Sequence, residues 1–372
     1  SGEDLAHADF TGAILCDVNF LDANLDYATM FSADLRNALM RHTSLVRADL
    51  RGVCMRGARL NNADMSGVDL REGTITGRDG TPFVPGLTLL ADGKVGIADL
   101  SGADLSNARL SGAVAVACNF SDAIMRGIHL KDADLQGVKL DRANLENADL
   151  SQCNVKDASF RGAILMNVTT TNTDMNLADL SGSLTEVATG PTIQDLPMPL
   201  HEYLRQHLQW LGSDGQKGQR MTIDGVDFRR APSFAHSCLS MLRARGVMFY
   251  GLDFQYALMH AVDMKASDLR HTHFQHADMR GSDFSDANFN GADLRAANLG
   301  PLELSEQSTV LTRLQRSSLR HADLRDANLR HADLSDADLS GANLSGCDLT
   351  NAKLERTILD GAIFDLSFTG GK

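Results

Sequence analysis

The stretch RHADLRDANLRHADLSDADLSGANLSGCDL, residues 320–349, places leucine at 324, 329, 334, 339, 344 and 349. A period of five fits neither an amphipathic helix, with apolar residues three and four apart, nor a half-buried strand, with apolar residues two apart. It marks a repeat, and short repeats stack so that neighbours share one continuous core. Outward from this block, centres at multiples of five run from Leu5 through Phe10, Leu15, Phe20, Leu25 and Met30 to Leu70 and Ile75, then from Leu100 to Leu180. Two positions before a centre stands a small residue, such as Ala23, Ala48, Ala103 or Ala148, and one before it usually Asp or Asn, such as Asp9, Asn19, Asn24, Asp49 or Asp104. The pentapeptide is A-(D/N)-L-x-x. It returns in a second frame at Ile223, Phe228, Phe234 and Leu239, and continues to Leu299 and from Leu319 to Phe364. The step of six before Phe234, near Pro232, predicts a bulged corner.

These pentapeptides resemble the pentapeptide-repeat family over most of the chain. The resemblance implies a right-handed quadrilateral β-helix, with one pentapeptide to a side and four to a coil. The fold class is then an all-β solenoid: two such β-helices joined by a short helical linker. Residues 1–186 form the first, with a loop insertion at 73–97; residues 187–220 form the linker; residues 221–372 form the second, with an interruption at 300–318. Composition agrees. Two inward positions in five approach the 43% hydrophobic content, and 5% aromatics with a single tryptophan, Trp210, suit a narrow interior better than a globular core. Coils about 4.8 Å apart stack residues spaced by 20, so Phe234, Phe254 and Phe274 are expected as a ring ladder on one inner face.

The interruptions differ in kind. Residues 73–97, GTITGRDGTPFVPGLTLLADGKVGI, carry prolines and glycines that argue for a protruding loop. Leu70 and Leu100 keep the register across it. Leu200, Tyr203, Leu204, His207, Leu208 and Leu211 recur at helical spacing between Pro199 and Gly212, predicting an amphipathic helix over 199–211. It resembles the lead-in helix of many solenoids in the family. Tyr203, Leu204, Leu208, Trp210 and Leu211 are expected to cover an open rod end, with Leu204, Leu208 and Leu211 buried.

No motif for phosphate binding, zinc proteolysis or a serine nucleophile is present. The Asp of each pentapeptide is expected to bond the corner backbone, so no carboxylate pair stands out as acid and base. His271, His273 and His276 invite a metal reading, but they fall on outward or corner positions and read as solvated surface. Six cysteines show no paired spacing. Cys118, Cys153 and Cys347 take the small-residue slot and read as packing, which suits a reducing compartment. No apolar run is long enough to span a bilayer and no secretory signal is visible, so the expected location is cytoplasmic. No enzyme activity, cofactor, metal or direct nucleic-acid binding is expected.

Three functions remain. The first is a protein-interaction scaffold whose contacts lie on the loop, at Arg78, Asp79, Phe83 and Leu90, on the 300–318 interruption and at the junction. The second, implied by the resemblance, is a DNA-mimic inhibitor of a type II topoisomerase, gyrase. The third is an adaptor or regulatory part of a larger protein, since Ser1-Gly2 already adjoins the repeat and an active domain upstream is expected in that case. Charge weighs against the second. Residues 1–186 hold 25 acidic and 16 basic residues, net −9, along about 38 Å of rod, far sparser than one charge per about 1.7 Å of duplex. Residues 221–372 reach only −4.

Overall fold

The computed structural model describes residues 2–60, 62–71, 98–188, 190–305 and 307–365. Each pentapeptide is set by local bonds. The N–H of the small residue donates to the preceding centre's carbonyl, as Ala8 to Leu5 and Ala28 to Leu25, both 3.1 Å, closing a turn. The second residue after the centre is left-handed, as at His7 (φ 61°), Asp122 (61°) and His271 (55°). Gly, Asn, Asp and His enter that region most readily, which explains why those residues recur there. The Asp or Asn before the centre accepts the N–H two residues on, as Asp9 from Thr11 (2.9 Å) and Asn19 from Leu21 (3.0 Å), pinning the corner.

Coils then stack by parallel backbone pairing at a spacing of 20: Asp4 with Asn24, Asn24 with Ser44, Ser44 with Asp64. The centre's N–H donates to the next coil (Leu5 to Asn24 O, 2.7 Å) and the Asx N–H to the previous one (Asn24 to Glu3 O, 2.9 Å). Four such columns, each one pentapeptide wide, make a β-helical solenoid. Centres and small residues face inward and are almost wholly buried, as at Leu25, Ala28, Leu50 and Ala103.

The chain divides into two compact units, Ser1–Val187 and Ala188–Lys372. In the first, Cys54 pairs with Asp99 and Asp69 with Val114, so the sequence across residues 72–97 is resumed in register, as expected. Ile75 lies outside the described residues. One described centre departs from expectation: Met175 opens a short 3-10 helix, Met175–Leu177. Asp174 spends its carboxylate on the Asn176 N–H and caps this turn, while Asp179 rejoins the ladder opposite Ser159.

In the second unit the pairings Thr222–Arg243 and Asp227–Met248 span 21 residues and Cys238–Leu258 spans 20. One coil therefore holds the extra residue anticipated near Pro232. Phe234, Phe254 and Phe274 are buried and stack with centroids 5.3 and 5.0 Å apart and rings within 14° of parallel. Phe228, Phe249, Phe284 and Phe289 join them through tilted and edge contacts. The second interruption is shorter than 300–318. It is a hairpin, β1 (Leu302–Ser305) antiparallel to β2 (Ser308–Val310). Arg313 pairs with Asp283, so Thr312-Arg313-Leu314 already belongs to a coil side. The repeat also begins earlier than the sequence shows. Asp227 donates its N–H to Pro191 O at 2.7 Å, and Thr192 pairs beside it.

Candidate interaction surfaces

Part of the charge on the flat sides is paired locally. Where Arg follows the centre it folds back on the Asp before it: Arg36–Asp34 (2.6 Å), Arg51–Asp49 (2.6 Å) and Arg71–Asp69 (2.7 Å) in the first unit; Arg229–Asp227 (2.5 Å), Arg270–Asp268 (2.5 Å), Arg295–Asp293 (2.7 Å) and Arg325–Asp323 (2.6 Å) in the second. The Arg36 guanidinium holds Asp34 below the usual carboxylate range, and hydrogen bonds from Thr11 do the same for Asp9. The exposed pairs add little stability, whereas Arg229–Asp227 and Arg270–Asp268 are mostly buried. They do remove the isolated, elevated carboxylate that general acid catalysis needs.

The corners carry columns of side chains. His236, Tyr256 and His276 stack with centroids 5.1 and 4.8 Å apart. Asp286, Arg316, Asp336 and Arg356 alternate charge, with Arg316–Asp286 at 2.7 Å and Arg356–Asp336 at 2.5 Å. The expected histidine group is dispersed along this scheme. His276 lies in the ring stack, His271 meets Tyr250 edge-on at 5.7 Å, and His273 faces outward from the side between them. Among the described residues no three His, Cys, Asp or Glu side chains are placed to hold a metal. The thiols are free and pack as expected. Cys118 Sγ lies 2.9 Å from Leu70 O and Cys153 Sγ 3.1 Å from Leu130 O. Burial pushes Cys153 up to about 11 and Cys347 to about 12, so neither is a ready nucleophile.

Two elements break the regular surface. The first is the hairpin. Its base is fixed to the rod: Thr312 Oγ1 accepts the Gly281 N–H at 3.0 Å and donates to Gly300 O at 3.1 Å. Leu302 and Val310 lie over Gly281, where φ is +66° and a Cβ would come within 2.7 Å of Leu302 Cβ, so only glycine fits. Beyond this anchor Leu304 is 63% exposed. Sequence reading marked the segment but not its strands, because LELS and STV are too short to show a pattern.

The second is helix α1, Leu200–Leu211, entered from Pro199 and closed by the Gly212 N–H on Leu208 O (2.9 Å). Glu202 lies on the outer side at 2.5 Å from Arg205, whose hydrogen bond, with that of Gln206, holds its carboxyl down to about 2. Leu200, Tyr203 and Leu204 pack on the second unit's core, and Leu211 is half-buried. Leu208 does not follow the expectation: it is 51% exposed. The helix is rotated so that His207 takes the innermost place, wholly buried. Its Nε2 donates to Ser240 O at 3.0 Å, its Nδ1 accepts the Met221 N–H at 3.1 Å, and its ring stacks on half-buried Trp210 at 6.0 Å. The ring reaches backbone groups that a leucine would leave unpaired. The signal was present, since His207 lies on the stripe with Leu200, Tyr203 and Leu204. The loop residues Arg78, Asp79, Phe83 and Leu90 lie outside the described residues. Among the described residues no helix is long and apolar enough to cross a membrane.

A family profile described as pentapeptide repeats matches eight stretches: 4–41, 30–71, 98–132, 128–167, 143–182, 263–300, 311–346 and 327–365, together more than half of the chain. Helix α1 and the hairpin fall outside them. Comparison with curated proteins returns no match. Among solved structures, the chain is similar to HetL, a pentapeptide repeat protein involved in heterocyst differentiation regulation from the cyanobacterium Nostoc. They share 21% identity over 97% of this chain and 91% of that one, with a TM-score of 0.24. QnrB1, a plasmid-mediated fluoroquinolone resistance protein, is 21% identical over 39% of this chain and 82% of its own, with a TM-score of 0.24. A protein from the Arabidopsis thaliana thylakoid lumen is 19% identical over 43% and 70%, with a TM-score of 0.20.

Proposed function

The chain belongs to the pentapeptide-repeat family, and from that premise we propose that it is a non-enzymatic protein-interaction scaffold: two right-handed quadrilateral β-helices that hold irregular segments in place for a protein partner. No catalytic family is indicated. The observation that carries the reading is the hairpin Leu302–Val310. A solenoid gains nothing in core volume from it, yet Thr312 and Gly281 clamp its base while Leu304 is presented to solvent. Irregular segments on a rigid scaffold are where recognition concentrates. The loop over 73–97, with Arg78, Asp79, Phe83 and Leu90, is proposed as a second contact of the same partner class.

Imitation of duplex DNA toward a type II topoisomerase keeps one observation in its favour, the net −9 of the first unit. Against it stand the Asp–Arg pairs, which cancel charge on the flat sides. Quantitative affinity capture from the source cells decides between them. The scaffold reading expects one protein to be lost equally by Leu304→Asp and by replacing 301–311 with a two-residue turn, at unchanged circular dichroism. An unchanged partner set in both variants overturns it. Stoichiometric inhibition of gyrase supercoiling, relieved by neutralising outward Asp of the first unit, would establish the other reading instead.

A further inference from the structure

We propose that α1 is a pH-released cap on the second solenoid, held shut by neutral His207 and opened by acid. The geometry admits one protonation state. Nε2 must carry the proton to donate to Ser240 O, and Nδ1 must be bare to accept the Met221 N–H. A second proton would set Nδ1–H against the Met221 N–H, inside a site with no water-facing surface. Both partners belong to the coil that the helix covers, so losing them unfastens the helix from the rod.

Among the described residues no anion acts on the ring. Arg220, bound to Met241 O at 2.6 Å, is the charged group acting on the ring and opposes protonation. The coil beneath presents backbone at Leu239 and Ser240. On α1 itself Glu202 is bonded to Arg205 and Gln206. Burial, the largest influence, and Arg220 push the ring down, the bonds to the Ser240 and Leu239 carbonyls oppose them, and the balance is downward: the seated ring titrates below the free value, and the released ring does not. Seating is therefore complete above the free value of about 6.5 and weakens by up to about tenfold for each pH unit below it, until the seated ring itself titrates. Release uncovers Leu200, Tyr203 and Leu204 together with the first coil, an apolar surface hidden at neutral pH.

Trp210 is the only tryptophan and stacks on His207, so acrylamide quenching of the whole chain reads the cap directly. Quenching is expected to rise at least about twofold between pH 7.5 and 5.0. In His207→Gln it is expected to stay level, because the amide can donate to Ser240 and accept from Met221 without titrating. A level wild-type profile, or a His207→Gln profile that follows the wild type, overturns the proposal. Should His207→Gln unseat the helix even at pH 7.5, nitrogen-15 spectra of the wild-type imidazole decide. Titration of an Nε2-protonated ring in step with Trp210 exposure supports the cap; ring charging without added exposure overturns it.

Discussion

The two units solve the same geometric problem with different materials. In the first, the described core is mostly Leu, Met and Ala. In the second, phenylalanines interlock across coils, and the first coil is closed, with Met221, Ile223 and Phe228 almost wholly buried beside α1. Corner geometry is the same in both. The difference shows that the pentapeptide dictates the side and the corner, whereas filling the lumen and closing an end are settled by separate choices. The small slot makes the same point. Ala is its usual occupant, but Ser267 inserts its hydroxyl into a turn of the coil before, accepting from Val247 N–H (3.2 Å) and donating to Ala244 O (2.7 Å).

The largest expected effect tests the lumen. Phe254 touches Phe234, Phe249 and Phe274, so Phe254→Ala should lower the stability of the second unit by about 3–5 kcal/mol. In a guanidinium titration Trp210 fluorescence, which reports only that unit, should shift its midpoint, while a component of the circular dichroism stays in place. A common shift of both signals would mean that the units do not unfold separately, and the contrast between them would collapse.

The next tests the closed end. Leu204→Asp places a carboxylate under α1 and should cost about 2–4 kcal/mol, visible as an earlier fluorescence midpoint and as self-association in light scattering. Leu208→Asp, on the exposed side, should stay within about 0.5 kcal/mol. Equal losses from the two would return the helix to the orientation that hydrophobic spacing alone favours.

Acid sharpens the electrostatic side of the comparison. In both units carboxylates such as Asp34, Asp69, Asp227 and Asp323 are held below their ordinary value: burial raises each of them, and the bonds from paired arginines outweigh it. A depressed carboxylate contributes stability above its unfolded value, which is lost as pH falls through the folded one. Both units should therefore hold steady above about pH 4 and weaken below it. The second unit should show, in addition to this carboxylate effect, an earlier loss that begins below about pH 6.5 and belongs to the cap. The smallest effect concerns Ser267→Ala. The direct N–H to carbonyl turn made elsewhere can reform, so the loss should be under about 1 kcal/mol by thermal denaturation.

Most of the fold was legible because its information is short-range. The turn bond from Ala8 to Leu5 and the Asx bond from Thr11 to Asp9 lie within one or two pentapeptides, so each block of letters states its own geometry. The Phe ladder followed from spacing for the same reason. Legibility failed where a residue took an unfamiliar role in a familiar slot. The coil side at Thr312-Arg313-Leu314 fell within the span 300–318 and went unread. Met175 stands where a centre should, but it opens a 3-10 turn and Asp157 donates its N–H to Leu177 O, one residue beyond the regular step. The hairpin was marked only as a gap.

By itself the sequence determined the period, the inward and outward positions and the left-handed corners, since these depend on residues at most a few positions apart and recur dozens of times. Only the tertiary structure decided which face of α1 is inward and that His207 rather than Leu208 lies beneath it. That choice rests on Met221 and Ser240, 14 and 33 residues away, whose backbone groups need a polar partner at the end of a coil. Hydrophobic spacing counts apolar side chains and has no register of unpaired backbone, which is the quantity that turned the helix.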